Sequence, residues 1–319
     1  MATRGGRQCD RALRAVVGSL SFALIFFSAT HAFAWDSATH RLITRLAIGA
    51  LPQSPLKTEF LANEARLERH SVEPDSVLKN EYGRSEEIRH FIDLENFGSD
   101  PFSVLTPDFA TMQRQFGTSA IIRAGTLPWT IDSIADKLPQ EWKRNDCTNV
   151  LRDAGYLAHY VGDASQPLHT TASFDGYNRR DRGLHARIEL AVDHHVQPLG
   201  QFARPEVRVT DIAAVWPAEL AEIRQAHQYV ARLIDDDRLL RGLARSGDRD
   251  GYEKALISRE QSLFISQIAS AASTLASIWL FEWRSAGSPS GCSGRVAAQG
   301  GSASITTAAS YWIATVSDS

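Results

Sequence analysis

The run His159-Tyr-Val-Gly-Asp163-Ala-Ser-Gln-Pro-Leu-His169 sets three side chains of metal-ligand type within eleven residues. On a helix His159 and Asp163 lie four apart and project from one face, while Pro167 bends or ends the helix and lets His169 return toward the same space. Sixteen residues after His169, His185 and Glu189 repeat the i, i+4 pairing of an imidazole with a carboxylate. One such pair is most often a core imidazole with a hydrogen-bonded partner. Two pairs plus His169 point instead to a metal centre. Nitrogen and oxygen ligands without cysteine suit zinc, and ligand type alone leaves manganese and iron open. Upstream, His40 lies five residues after Trp35 and His90 fifteen after Asp75, both next to apolar helical or turn segments.

The elements that must carry these side chains read as helices with polar connections, without the sustained period-two alternation a sheet needs. The expected fold class is all-α. From Trp35 to Leu51 a stripe of Leu42, Ile43, Leu46, Ala47 and Leu51 stops at Pro52. Val150–Val161 and Leu184–Val192 show the same spacing, and Glu222–Leu243 and Tyr252–Trp283 complete the set. Leu263 to Phe281 is free of charge for nineteen residues, a length that could cross a bilayer. The interspersed Ser266, Gln267, Ser270, Ser273, Thr274 and Ser277 favour a buried core helix instead. Residues 97–139 are too mixed to read beyond short helices and turns.

The N-terminus has the three parts of a secretory signal. Arg4, Arg7, Arg11 and Arg14 precede an uncharged run from Ala15 to Phe27, and Ala32-Phe33-Ala34 offers a cleavage site. The expected organisation is a signal peptide over 1–34, one domain over 35–284 and a Gly, Ser, Ala and Thr-rich tail over 285–319. Export leads to the periplasm or the cell exterior, with no transmembrane helix after cleavage. The whole chain carries 34 basic and 37 acidic side chains. Cleavage removes four arginines and Asp10, leaving 30 against 36 and a net charge near −6. That balance lacks the basic footprint of most nucleic-acid binders, though bound metal ions would reverse the sign locally. Cys147 and Cys292 survive cleavage, and an oxidising compartment permits one disulfide between them, which the sequence alone does not establish.

Taken together these residues resemble the zinc-dependent phospholipase C and S1/P1 nuclease superfamily, from Trp35 to about Trp283. The shared pattern is an N-terminal Trp exposed by cleavage, a nearby His, an Asp followed by a His, His-x3-Asp with Gln-Pro-Leu-His, then His-x3-Glu or His-x3-Asp. All nine positions are present, and Gly125-Thr-Leu-Pro-Trp129 and Gly183-Leu-His-Ala-Arg-Ile-Glu189 are similar to segments of bacterial phospholipase C-like members. The resemblance implies a single multi-helix domain around three zinc ions. Asp75, His90, His159 and Asp163 would hold the first, and His169, His185 and Glu189 the second. The amino and carbonyl groups of Trp35, with His40 and Asp163, would hold the third, so Asp163 would bridge two ions. Divalent ions lower the pKa of water and stabilise a departing oxygen, so no side-chain nucleophile is required. Asp75 is the candidate to orient or deprotonate the attacking water. A Gly-x-Ser-x-Gly elbow and a His-Glu-x-x-His helix are absent from the sequence, which argues against a serine esterase or a metalloprotease.

The substrate divides the reading between phospholipid and single-stranded nucleic acid. Glu189 at the last position, the short interval from His169 to His185, and Leu78 three residues after Asp75 where the nucleases carry Arg all resemble the phospholipases. His90-Phe91-Ile92-Asp93 is similar to the nuclease segment in which an aromatic ring stacks a base and an Asp reads its edge, making Phe91 and Asp93 candidate substrate contacts. Phe91 also reads as core packing. Ser76 and Glu87 stand where choline-binding phospholipases tend to have aromatic residues. Asp193-His194-His195 reads as a solvated helix end, and Arg179, Arg180, Arg182 and Arg187 as either phosphate contacts or a solvated loop. The expectation is a secreted zinc phosphoesterase with phospholipase C-type cleavage ahead of nuclease activity, in possible peripheral contact with a membrane. A non-catalytic metal-binding surface protein is the alternative from another class.

Overall fold

In the computed structural model, residues 37–291 are described, and they are helical throughout with no strand among them. The all-α expectation holds for these residues. Trp35 and Cys292 lie outside them, as do the expected signal segment and nearly all of the tail.

Seven helices position the chemistry: α1 (Ser37–Ala50), α2 (Leu127–Ala135), α3 (Cys147–Ser165), α4 (Leu184–His194), α5 (Val215–His227), α6 (Val230–Arg245) and α7 (Arg249–Ser285). The stripe of α1 is buried as its spacing predicts, with Ile43, Ala47 and Ile48 fully enclosed. Its first turn is fixed from outside, because Asp193 Oδ1 accepts the Thr39 N–H at 2.9 Å and Oγ1 at 3.2 Å. That carboxylate serves an amide with no partner inside the helix. At the start of α3 the Asp146 side chain accepts the Asn149 N–H at 3.3 Å, and Asp248 accepts the Gly251 N–H at 2.9 Å at the start of α7. Pro167 follows the end of α3, and the chain tightens into a 3-10 turn over Pro167–Thr170, as the proline predicts.

The central element is α7, which runs 37 residues with a kink at Glu260 (φ −110°, ψ 15°) and packs against α1, α3, α4, α5 and α6. It is long and apolar enough to cross a membrane, yet 78% of its most apolar window is buried inside the protein. Its polar residues explain why it belongs in a core. Gln267 Nε2 donates to the Ser165 carbonyl at 2.6 Å, Ser270 and Thr274 each donate to Glu222 at 2.7 Å, and Ser273 and Ser277 accept the amides of Arg208 and Thr210. Each hydroxyl or amide satisfies a group of a neighbouring segment, which lipid could not do. Apolar contact supplies the rest: Trp279 is fully buried with the Phe60 ring edge-on at 4.9 Å.

One helical reading needs correction. Glu222–Leu243 is two helices, α5 and α6, separated at Gln228 and Tyr229. No glycine or proline marks the break, so the apolar spacing runs through it. A tertiary tie sits there instead, since His227 Nδ1 lies 3.0 Å from Thr170 Oγ1 on the 3-10 turn. Residues 97–139 resolve into short helices, as expected, of which α2 carries Trp129 into the core. Cys147 is disulfide-bonded.

Candidate metal centre

Five helical elements and one irregular segment bring eight of the nine expected side chains together. α3 supplies His159 and Asp163, both completely buried, and α1 supplies His40, whose ring stacks on His159 with centroids 4.0 Å apart. That approach depends on Gly162, where a Cβ would stand 2.8 Å from His40 Nδ1. Asp75 sits on a single π-helical turn, Pro74–Leu78, a rare geometry that recurs at functional sites. His90 follows on an irregular segment, His169 lies on the 3-10 turn, and α4 supplies His185 and Glu189. Trp35, the ninth, lies outside the described residues.

Three groups result, each with one ligand atom per residue mutually within 4.8 Å: His40, Asp75 and His159; His90, His159 and Asp163; and His169, His185 and Glu189. Asp75 also reaches the second group, with Oδ1 at 3.5 Å from His90 Nδ1 and Oδ2 at 3.8 Å from His159 Nε2. The two oxygens of Asp163 face different ways. Oδ2 lies 3.0 Å from His90 Nδ1 and 3.4 Å from His159 Nε2, whereas Oδ1 lies 3.5 Å from His40 Nε2. In the third group Glu189 Oε1 is 2.6 Å from His185 Nε2 and 3.4 Å from His169 Nε2.

The far nitrogens decide where the lone pairs point. His159 Nδ1 meets the Ser71 carbonyl at 2.9 Å, and His169 Nδ1 meets the His90 carbonyl. A carbonyl only accepts, so each Nδ1 carries the proton and each Nε2 turns its lone pair inward, that of His159 to His90 Nδ1 at 2.9 Å and Asp163 Oδ2 at 3.4 Å, that of His169 to Glu189 Oε1 at 3.4 Å. Burial keeps these rings neutral: it lowers His40 to about 3 and holds His90 and His159 well below the usual imidazole value. Burial likewise pushes Asp163 well above the usual carboxylate range, reinforced by Asp75, and lifts Asp75 to about 6 despite Lys79.

An imidazole lone pair facing an ionised carboxylate is repelled, and a cation between the two removes that repulsion. Among the described residues, both nitrogens of His40, His185 Nδ1, His169 Nε2 and Asp163 Oδ1 find no hydrogen-bond partner, and His185 Nε2, 2.6 Å from Glu189 Oε1, is not aligned for one. Such orphaned buried atoms are costly. One nitrogen of each ring and the carboxylate oxygen are atoms a divalent ion would take, and the N and O donor set fits zinc.

Sequence reasoning did not anticipate the residues behind this set. Glu86, 2% exposed, stands 3.4 Å from His90 Nε2, accepts the Tyr160 hydroxyl, and accepts Arg89 at 2.8 Å. Its i, i+4 spacing to His90 repeats the pairing seen at His159 and His185, and would have revealed it. Gln166 donates to Glu189 Oε1 at 2.9 Å while its carbonyl accepts the Leu168 N–H. Lys79 bonds Asp75 Oδ1, and although burial disfavours its charge, Asp75 holds its pKa above the ordinary value.

Phe91 and Asp93 stand on the segment that follows His90. It is pinned on one side by Ile92 N–H to the His169 carbonyl at 2.8 Å, and on the other by Asp93 N–H to Ala124 at 2.6 Å and Thr126 N–H to Ile88 at 2.7 Å. A Cβ on Gly125 would lie 2.1 Å from the Phe91 carbonyl oxygen and 2.7 Å from its ring. The Phe91 ring is half-buried with the Arg84 guanidinium 5.8 Å from its centroid, and burial raises Asp93 to about 7. His194 is exposed beside Glu253 and His195 bonds the Ala191 carbonyl, so Asp193-His194-His195 is a helix end.

Residues 39–233 match the family described as zinc dependent phospholipase C. The chain belongs to that family. Eight of the nine expected site residues fall inside the matched span. Among solved structures, one of 13 chains that match is alpha toxin from Clostridium absonum, at 15% identity and a TM-score of 0.44, covering 78% of this chain. The chain spans 64% of that toxin's length. No curated protein matches.

Proposed function

We propose that the mature chain is an exported, three-zinc phosphodiesterase that cleaves phospholipids in the manner of a phospholipase C. The observation that carries this reading is the inward aim of neutral imidazole lone pairs at buried carboxylates, in a chain of the zinc-dependent phospholipase C family. Residues 1–34 would be removed, 35–284 would form the catalytic domain, and 285–319 would be a tail. Asp75, His90, His159 and Asp163 would hold one ion, His169, His185 and Glu189 a second, and His40, Asp163 and the Trp35 terminus a third. The opposite aim of the two Asp163 oxygens supports its bridging role.

Bound zinc supplies Lewis acidity toward a phosphate oxygen and lowers the pKa of water. The chain's own part is to orient. Ser71 and the His90 carbonyl fix the tautomers of His159 and His169, Gln166 holds Glu189, and Glu86 backs His90. Asp75 is the group to take the proton of an attacking water, with Lys79 steadying its carboxylate.

The surroundings of Phe91 favour lipid over nucleic acid. Its ring packs on Gly125 with Arg84 above it, which leaves less open face for a base to stack on. The test is a paired assay of the zinc-loaded mature protein on phospholipid vesicles and on single-stranded DNA and RNA, with a chelated control. Zinc-dependent diacylglycerol release is the expected result. Nucleotide release would establish the nuclease reading, and loaded protein silent on both substrates would make it a non-catalytic metal binder.

A further inference from the structure

The connection between the 3-10 turn and α4 bears none of the converging ligands, yet it is densely hydrogen-bonded. Asp181, wholly buried in its middle, accepts the amides of Tyr177 at 3.0 Å and Asn178 at 3.2 Å on Oδ2. The same oxygen accepts Arg238 from α6 at 2.8 Å, while Oδ1 accepts Arg241. Arg241 and Arg245 also hold the Arg180 carbonyl, and Arg187 holds those of Arg182 at 2.9 Å and Asp181 at 3.1 Å. Gly176 closes the turn at φ +89°, where a Cβ would lie 2.1 Å from that of Asp181. Only glycine fits there.

What this scaffold presents is apolar and basic. Phe174 and Tyr177 are 46% and 54% exposed, and Arg179, Arg180 and Arg182 are exposed beside them. Asp175, Asn178, Arg179 and Arg182 line a cavity of about 340 Å³. The patch borders the candidate metal centre, since the Phe174 ring lies 5.8 Å from the His185 ring and Asp175 Oδ1 accepts the His185 N–H at 3.4 Å. Exposed aromatic rings beside arginines, held on a preordered loop, suit an interface where one side is apolar and the other anionic.

We propose that residues 172–183 are a docking lip for an anionic phospholipid surface, with Arg179 and Arg182 receiving the phosphate of a neighbouring lipid and Phe174 and Tyr177 entering the headgroup layer. The inference rests on the phospholipase reading above and names the surface on which that site works. Lipid is favoured over a nucleic acid because Arg238 already covers the Tyr177 ring face, 5.0 Å from its centroid. A base would need that face, whereas an interfacial ring can insert by its edge.

The test compares zinc-loaded mature protein with an Arg179→Gln, Arg182→Gln double variant and a Tyr177→Ser variant. Binding is measured on phosphatidylcholine vesicles with and without phosphatidylglycerol, and turnover on a soluble short-chain phospholipid. The parent is expected to prefer the anionic vesicles, and the double variant to lose about 25-fold in binding to them, from roughly fivefold per arginine. Tyr177→Ser should weaken binding as well. Turnover on the soluble ester should be unchanged in both variants. Equal vesicle binding by parent and variants, a parent indifferent to phosphatidylglycerol, or tighter binding to single-stranded DNA than to vesicles would each overturn the lip. Absence of turnover on the soluble ester in the parent would instead strike the phospholipase reading, because vesicle binding is read separately.

Discussion

At the scale of single residues, the site is set by which atom of each side chain is already engaged. His159 and His169 spend Nδ1 on carbonyls and leave Nε2 facing carboxylates, and Asp163 turns one oxygen to His40 and the other to His90 and His159. His159 touches both neighbouring groups, so its loss should reach furthest. We expect His159→Ala to bind less zinc and to lose turnover while still unfolding cooperatively, checked by elemental analysis, assay and a circular dichroism melt. Near-normal rates in that variant would remove the site assignment. Gly162→Ala tests the stacking of His40 on His159. Its Cβ would meet His40 Nδ1 at 2.8 Å, so His40 must move, at a cost of about 1 to 3 kcal/mol. The prediction is a lower melting temperature and reduced zinc content, and an unchanged metal content would show that His40 is not a ligand.

At the scale of elements, regular helices deliver some of these groups and irregular turns the others. The i, i+4 pairs on α3 and α4 were legible because helical spacing alone puts them on one face, and Pro167 announced the turn that returns His169. The π turn at Asp75 was not, since helical periodicity carries no signal for one extra residue in a turn. Nor was the break between α5 and α6, which follows from a tie to Thr170 and not from any helix-ending residue. Glu86 was legible in its i, i+4 spacing to His90, whereas Gln166 acts behind Glu189, where type and spacing say little without neighbours. The segment bearing His90 owes its place to Gly125, at φ +87° and ψ 163°, a conformation nearly confined to glycine. Gly125→Ala should cost at least about 2 kcal/mol and displace His90. A thermal melt with zinc analysis checks this, and a variant with parental stability and metal content would contradict it.

For the whole molecule, helices with an apolar core enclose many acids, and not all of them belong to the site. Glu222, 3% exposed between α5 and α7, is raised to about 7 by burial, against hydrogen bonds from Ser270 and Thr274. Because the folded state holds its proton more tightly than the unfolded chain, whose pKa is near 4.5, stability from this group is full below that value and is lost as pH rises toward 7. Glu222→Gln should remove up to about 3 kcal/mol of that pH dependence, so the gap between variant and parent melting temperatures should move in the variant's favour from pH 5 to 8. Parallel profiles would mean that Glu222 titrates normally. Processing belongs to this scale too. If the Trp35 amino group is a ligand, protein with residues left before Trp35 should bind less zinc and be inactive, and a fully loaded, active precursor would refute that role.

The account stands most directly on the metal itself. Elemental analysis of the mature protein, followed by anomalous diffraction at the zinc edge, should find three zinc ions, one beside each of the three groups formed around His40, His90 and His185. Zinc absent from the cluster around His159 and Asp163, or bound only elsewhere on the chain, would contradict it.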